Sequence, residues 1–339
     1  VKTQIITNSR LRTFHACQRL HLIQYVDGYR PNGTTEALAF GDLMHVGLEA
    51  WWLTWAAIEG TCDAPLSAAQ LAMMAKGADP VMLAKAQVLM VAYDLRWSAS
   101  MGALEVLAVE AQFETPLVHP LSGRAIRGAR RAGKLDAIVR RRDDGSVWMV
   151  EHKTTGGDIS PTSSYWQKLR LEPQVSMYFA GARALGYQLD GCIYDVIRRP
   201  DEKPLSATPE DRRKYLKGTT TLYKGQRETD ETLEEYQARL ATSIGEDPNA
   251  YFARSEVVRL PEELRAFELD VYAASRQMLA AGRTIAGMHA PRNVDSCFRF
   301  GRPCEFFDHC SLGVPLEDKT RFHKVDNVHP ELSANAKAR

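Results

Sequence analysis

Several absences narrow what this chain can be. No apolar run approaches the roughly 18 residues a helix needs to cross a bilayer, so a soluble protein with no membrane partner is expected. The start Val1-Lys2-Thr3-Gln4 lacks the charged-then-apolar plan of a secretory signal, which points to an intracellular, cytoplasmic protein. No charge of one sign dominates: the formal net charge is +1, so recognition of a polyanion cannot rest on global basicity. No G-x-x-x-x-G-K-[ST] segment is present, hence no visible ATP motor, and no internal repeat appears. What is present is a chain of 339 residues, 45% hydrophobic, able to bury one large core with insertions or two domains.

The most informative stretch is Gly133-Lys134-Leu135-Asp136-Ala137-Ile138-Val139, followed by Glu151-His152-Lys153. Asp136 sits beside an apolar run, and Glu151 follows Val147-Trp148-Met149-Val150, so both lie on predicted strands. Between them Asp143-Asp144-Gly145 is a turn signal for an antiparallel hairpin. Such a hairpin can set Asp136 and Glu151 side by side. Glu151 and Lys153 are two apart and project from one strand face. Two carboxylates converging with a lysine suit a hard divalent cation and phosphodiester hydrolysis. Taken alone, a surface hairpin with solvated charges would explain the same residues.

The spacing resembles the PD-(D/E)XK nuclease superfamily, and the surrounding residues resemble its RecB-like branch. Pro173-Gln174-Val175-Ser176-Met177-Tyr178 is similar to the branch's Q-x-x-x-Y motif, on a helix from about 171 to 185 that puts Gln174 and Tyr178 on one face. Phe40-Gly41-Asp42-Leu43-Met44-His45 is similar to its G-x-x-x-H segment. The resemblance implies that His45, Asp136, Glu151 and the backbone carbonyl of His152 are metal ligands. It makes Lys153 the catalytic lysine and has Gln174 and Tyr178 line the site and the DNA path. It also implies an α/β fold, a mixed sheet flanked by helices, and a Mg²⁺- or Mn²⁺-dependent deoxyribonuclease. Exonuclease action is expected, in recombination, repair or replication, in a bacterial or phage-infected cell, with DNA and a recombination or replication protein as partners. Two other readings stay open: a catalytically silent nucleic-acid-binding protein, and an interaction subunit active only within a larger complex.

Six cysteines stand at 17, 62, 192, 297, 304 and 310. Three crowd into the C-terminal loop, and Cys17 lies near the other terminus. Four thiolates commonly hold an iron–sulfur cluster. One N-terminal cysteine plus a C-terminal trio resembles the staple of AddB-type nucleases and CRISPR-associated RecB-like exonucleases. This implies a 4Fe-4S cluster on Cys17, Cys297, Cys304 and Cys310, tying the chain ends together. Structural Zn²⁺ is the alternative, with His15, His21 or His309 able to replace one thiolate. Cys62 and Cys192, among apolar neighbours, are expected to be plain buried thiols.

Local charge adds to the picture. Arg127, Arg130, Arg131 and Lys134 lead into Asp136 and could hold a phosphate backbone that carboxylates alone would repel. Glu110 is a further carboxylate that either faces the site or points to solvent. Residues 1–39 are expected to be an arm carrying the first cluster cysteine, and 40–198 the nuclease core with a helical insertion at 60–103. Trp51, Trp52 and Trp55 are expected to serve as packing residues. Residues 199–259 are expected to be a charged insertion, 260–324 a helix (260–286) and cysteine loop, and 325–339 a disordered tail.

Overall fold

The computed structural model describes residues 3–58, 64–284, 290–299 and 301–333. Cys62, the last two residues of the helix expected over 260–286, and the tail from 334 lie outside the described residues. The arm comprises β1 (Gln4–Ile6), α1 (Asn8–Ala16), α2 (Gln18–His21) and β2 (Tyr29–Pro31). Three helices follow: α3 (Glu36–Ile58), α4 (Ala64–Ala75) and α5 (Pro80–Trp97). Asp79 starts α5 by accepting from the backbone N–H groups of Val81 and Met82, with Pro80 in the first turn. Next come β3 (Leu104–Val118), β4 (Ala125–Arg141), β5 (Val147–Thr155), α6 (Ser164–Arg170), α7 (Pro173–Ala184) and β6 (Gly191–Arg198). The remainder supplies α8 (Leu233–Glu246), β7 (Phe252–Val257), α9 (Pro261–Thr284), β8 (Phe298–Arg299), β9 (Arg302–Pro303), α10 (Phe307–Leu312) and β10 (Phe322–Lys324).

Six strands build one mixed sheet around β4. Strand β3 pairs antiparallel with β4 from Leu104↔Arg141 to Val118↔Ala125, taking up one of its edges. The other edge is shared. There β1 runs parallel to Ala129–Arg131, and β5 runs antiparallel to Ala137–Arg140. Residues 132–136 lie between these two pairings with no strand beside them on that edge, and a cleft opens there. Beyond β5 the sheet continues with β6, parallel, and β7, antiparallel.

Alternation along the strands gives the sheet two apolar faces. Met149, Cys192, Tyr194 and Val196 pack with Val175, Met177 and Phe179 of α7 and with Val271 and Met278 of α9. Trp148, Val150, Ile193 and Ile197 pack with Phe40, Met44, Trp51 and Trp52 of α3 and with Leu89 and Tyr93 of α5. Trp51 and Trp52 are buried and Trp55 packs against the same cluster. Cys192 is fully buried, and burial pushes its thiol well above the ordinary range. Gly181 lets α7 close onto β3, because a Cβ there would fall 2.3 Å from the Phe113 ring.

Two expected boundaries change. Residues 199–259 are not all insertion: β7 (Phe252–Val257) pairs with β6 and belongs to the core sheet, and α8 packs on α5 through Tyr236 and Leu240. A short strand of mixed polar residues carries little local signal, so only its long-range pairing reveals it. The stretch from 325, expected to be disordered, is packed through residue 333. Val325 donates its N–H to the Gly28 carbonyl, His329 is buried, and the Thr7 hydroxyl donates to Glu331 Oε1 at 2.6 Å. Polar composition hid this, because the polar groups here find partners in the arm, as Glu331 does in Thr7, or within the segment itself, as Asn327 does in Ser333.

Candidate active site

The β4–β5 ladder stops at Ala137↔Val150, one residue short of Asp136 and Glu151. The strands therefore part where the two carboxylates stand. The Asp136 side chain takes over the pairing role, with Oδ2 accepting the His152 backbone N–H at 2.8 Å. The same Oδ2 lies 4.0 Å from His45 Nδ1, which α3 brings to the mouth of the gap. On the α7 side, Lys153 Nζ donates to Glu151 Oε1 and to Gln174 Oε1, both at 2.6 Å. Gln174 Nε2 then donates to the Tyr178 hydroxyl at 2.8 Å. Four residues expected at the site thus form one chain of contacts, Glu151–Lys153–Gln174–Tyr178.

Asp136, His45, His152, Lys153, Gln174 and Tyr178 line a cleft of about 660 Å³ together with Gly41, Thr154, Lys134, Glu110 and the α1 start at Thr7–Ser9, and the buried Glu151 joins this wall through its bond to Lys153. Pro330, Glu331 and Ser333 also line it, so the C-terminal segment borders the site. Another groove of about 670 Å³ lies between α5 and α8, away from these carboxylates.

The electrostatics follow from burial. The Glu151 side chain is 3% exposed, and burial pushes its pKa up to about 7, with Lys153 pulling the other way. Burial also opposes the Lys153 charge, but Glu151 outweighs it and holds the ammonium above its usual range. The protein around His45 lowers its pKa, against the pull of Asp136, leaving a neutral imidazole with a lone pair to offer.

Glu110 faces the cleft rather than bulk solvent and is ion-paired with Lys134. It sits between the pairs Val109↔Ala137 and Ala111↔Leu135, opposite Asp136. Burial raises its pKa to about 7, and Asp136 adds to that. Glu110 is also the one described non-glycine residue in the left-handed region, at φ 53°. Such a backbone costs on the order of 1–3 kcal/mol and is commonly found at functional sites.

The basic residues separate. Lys134 lines the cleft, whereas Arg131 is buried with its guanidinium 2.7 Å from Glu268. Arg130 pairs with Glu114, and Arg127 is exposed. Sequence reasoning missed Asp195, Arg254 and Tyr93, which form a buried polar group behind His152. Tyr93 and Arg254 donate to Asp195 Oδ2 at 2.5 and 3.0 Å. Although burial opposes it, Arg254 and His152 hold the Asp195 carboxyl well below the usual range. The available signal was one charged residue inside the apolar run Cys192-Ile193-Tyr194-Asp195-Val196-Ile197.

The sequence profile of the PD-(D/E)XK nuclease superfamily matches residues 6–310. The chain belongs to that superfamily. Its mixed sheet flanked by helices is consistent with the PD-(D/E)XK core, and membership implies a phosphodiester-cleaving hydrolase. No curated protein matches. A solved structure described as the crystal structure of SSO0001 is similar at 14% identity and a TM-score of 0.29, over 78% of this chain and 84% of that one. A likeness that low carries no argument. Among the described residues of this PD-(D/E)XK protein, no helix is long and apolar enough to cross a membrane.

The donor types suit a divalent metal: two carboxylates, a neutral imidazole and a backbone carbonyl match Mg²⁺ or Mn²⁺ better than a thiophilic ion. Among the described residues, no three His, Cys, Asp or Glu side chains stand close enough together to enclose an ion. Glu151 instead faces Lys153, whose ammonium balances the buried carboxylate.

The segments that carry the cysteines are drawn together from both ends of the chain. The Asn293 side chain donates to the Ala16 carbonyl at 2.9 Å, and the Arg19 backbone N–H donates to the Pro291 carbonyl at 3.2 Å. Cys304 donates its N–H to the Cys297 carbonyl at 2.8 Å. Burial raises the thiols of Cys304 and Cys310, and each feels the nearby Cys17. The described cysteines are free thiols.

Proposed function

We propose that this chain is a divalent-metal-dependent deoxyribonuclease of the RecB-like type, acting as an exonuclease in DNA recombination, repair or replication. The observation that carries this reading is the Lys153 ammonium held between Glu151 and Gln174, beside Asp136 and His45 in one open cleft. His45, Asp136, Glu151 and the His152 carbonyl would hold Mg²⁺ or Mn²⁺. When bound, the ion supplies Lewis-acid polarisation of the phosphate and a lower pKa for the attacking water. Lys153 contributes a fixed positive charge where negative charge develops. Gln174 keeps the lysine aimed, and Tyr178 keeps Gln174 in place. The same reading assigns Cys17, Cys297, Cys304 and Cys310 to a 4Fe-4S cluster, with structural Zn²⁺ as the alternative. A cytoplasmic setting and a recombination or replication partner belong to the same proposal.

Lys134 and the exposed Arg127 are the better candidates for DNA contact. Arg131 is spent on Glu268, so Arg131→Ala should cost about 1–3 kcal/mol of stability by leaving that carboxylate unpaired. The salt dependence of DNA binding should stay unchanged in this variant, whereas loss of a phosphate contact lowers the slope by about one. A denaturation curve and a salt titration decide between the two roles.

The functional test is a nuclease assay on single- and double-stranded ends, with and without Mn²⁺. Metal-dependent shortening from ends supports the reading. DNA binding without cleavage points to a silent binding protein, and activity only after a partner is added points to a subunit of a larger assembly.

A further inference from the structure

Behind the catalytic face, strands β5, β6 and β7 place three charged or polar residues in one cross-strand row. His152 is in register with Asp195, and Asp195 with Arg254. They sit on the α3/α5 face of the sheet, opposite Glu151 and Lys153. Asp195 is fully buried. Its Oδ2 accepts from Tyr93 at 2.5 Å and from Arg254 at 3.0 Å, and lies 3.3 Å from His152 Nδ1. Tyr93 is itself reached by Trp52 Nε1 at 3.3 Å. The Arg254 guanidinium stacks 3.9 Å from the Trp97 ring centroid.

Stability alone does not explain such a group. Taking a carboxylate and a guanidinium out of water costs several kcal/mol per ion, and apolar residues of equal volume often serve as well or better. What buried polar contacts add is a single defined arrangement, because each has few acceptable geometries. The question is which arrangement this row defines.

The answer lies in His152. Beyond Val150 the β4–β5 ladder has ended, so residues 151–153 are held laterally by β6 alone, apart from the Asp136 side chain. The His152 backbone N–H holds Asp136, and the His152 ring meets His45 edge-on with centroids 6.3 Å apart. Trp52 packs on the same ring at 5.7 Å. A shift of His152 would therefore move Asp136 and His45 together.

We propose that Asp195, supported by Arg254 and Tyr93, is a positioning residue that pins His152 from behind the sheet and so fixes Asp136 and His45 for the metal. This rests on the metal-dependent reading above. The row acts through His152 and touches neither the substrate nor the ion. Groups that orient metal ligands from outside the first contact layer commonly change affinity by roughly 10–100-fold when removed.

The test is titration calorimetry of the full chain with Mn²⁺ alone, alongside thermal melts and cleavage as a function of Mn²⁺ concentration. Asp195→Asn should bind Mn²⁺ at least about tenfold more weakly, while cleavage at saturating Mn²⁺ recovers to within about threefold of wild type. Arg254→Lys, which keeps a cation beside Asp195, should retain most of the affinity that Arg254→Met loses. A folded Asp195→Asn protein with wild-type Mn²⁺ affinity overturns the proposal, including when its melting temperature has dropped. Where Asp195→Asn is insoluble, His152→Phe carries the test: it keeps an aromatic ring against Trp52 and removes the Nδ1 that faces Asp195. Weakened Mn²⁺ binding in it supports the proposal, and unchanged binding overturns it. A wild-type protein that takes up no Mn²⁺ overturns the functional reading itself, and this inference with it.

Discussion

Lys153→Ala should yield a folded protein that still binds DNA but cleaves it on the order of 10²–10³-fold more slowly, the loss typical when one preorganised charge-stabilising group is removed. The structure makes the lysine the hinge of the site. Its ammonium is bonded both to the strand carboxylate Glu151 and to the α7 amide Gln174. Without it, Glu151 stays buried with no ammonium beside it, and its pKa, already about 7 by burial, should climb further.

The same carboxylate sets a pH dependence in the wild type. If Glu151 holds the metal as proposed, the ion must displace its proton, so with a pKa near 7 Mn²⁺ binding should be about tenfold weaker at pH 6 than at pH 8. The sign is that of a raised carboxyl pKa: the protonated form prevails below about 7, and metal affinity is gained as pH rises through that value. Calorimetry at the two pH values checks this, and single-turnover cleavage with a circular-dichroism control checks the variant. EDTA should stop the wild-type reaction. Undiminished cleavage by purified Lys153→Ala would sink the assignment of the site.

The second large effect is expected at the cysteines. Protein purified without oxygen should be brown and contain about four irons per chain, and Cys304→Ser should lose both iron and stability. The reason is topological. A cluster on Cys17, Cys297, Cys304 and Cys310 would close a loop spanning most of the chain, and long loops cost the most entropy to close. At 339 residues each kcal/mol lost corresponds to about 1–2 °C in melting temperature, so a shift of a few degrees is expected. Hydrogen bonds from Asn293 to Ala16 and from Arg19 to Pro291 already bring the two ends together, so a partial fold should survive. Cys192→Ser, fully buried in the core away from this loop, should keep its iron. Stoichiometric zinc with negligible iron would instead favour the alternative metal. Cys304→Ser with unchanged iron and melting temperature would refute the staple.

The parts of this protein readable from sequence are those whose physics is local. Apolar runs and an Asp-Asp-Gly turn define the β4–β5 hairpin, and its geometry alone brings Asp136 toward Glu151 and puts Lys153 on the Glu151 face. Four-residue spacing on α7 aligns Gln174 with Tyr178. What tertiary structure decided depends on partners far apart in the chain. Strand β1 meets β4 across more than a hundred residues, and β7 joins β6 across a long segment that includes α8, so neither leaves a periodic signature. Arg131 looks like part of a basic cluster in sequence, yet folding delivers Glu268 to it from α9. Glu331 ends at the mouth of the cleft because Thr7 is there to meet it. The row His152–Asp195–Arg254 exists only in the register of three strands, where burial makes each charge depend on the next.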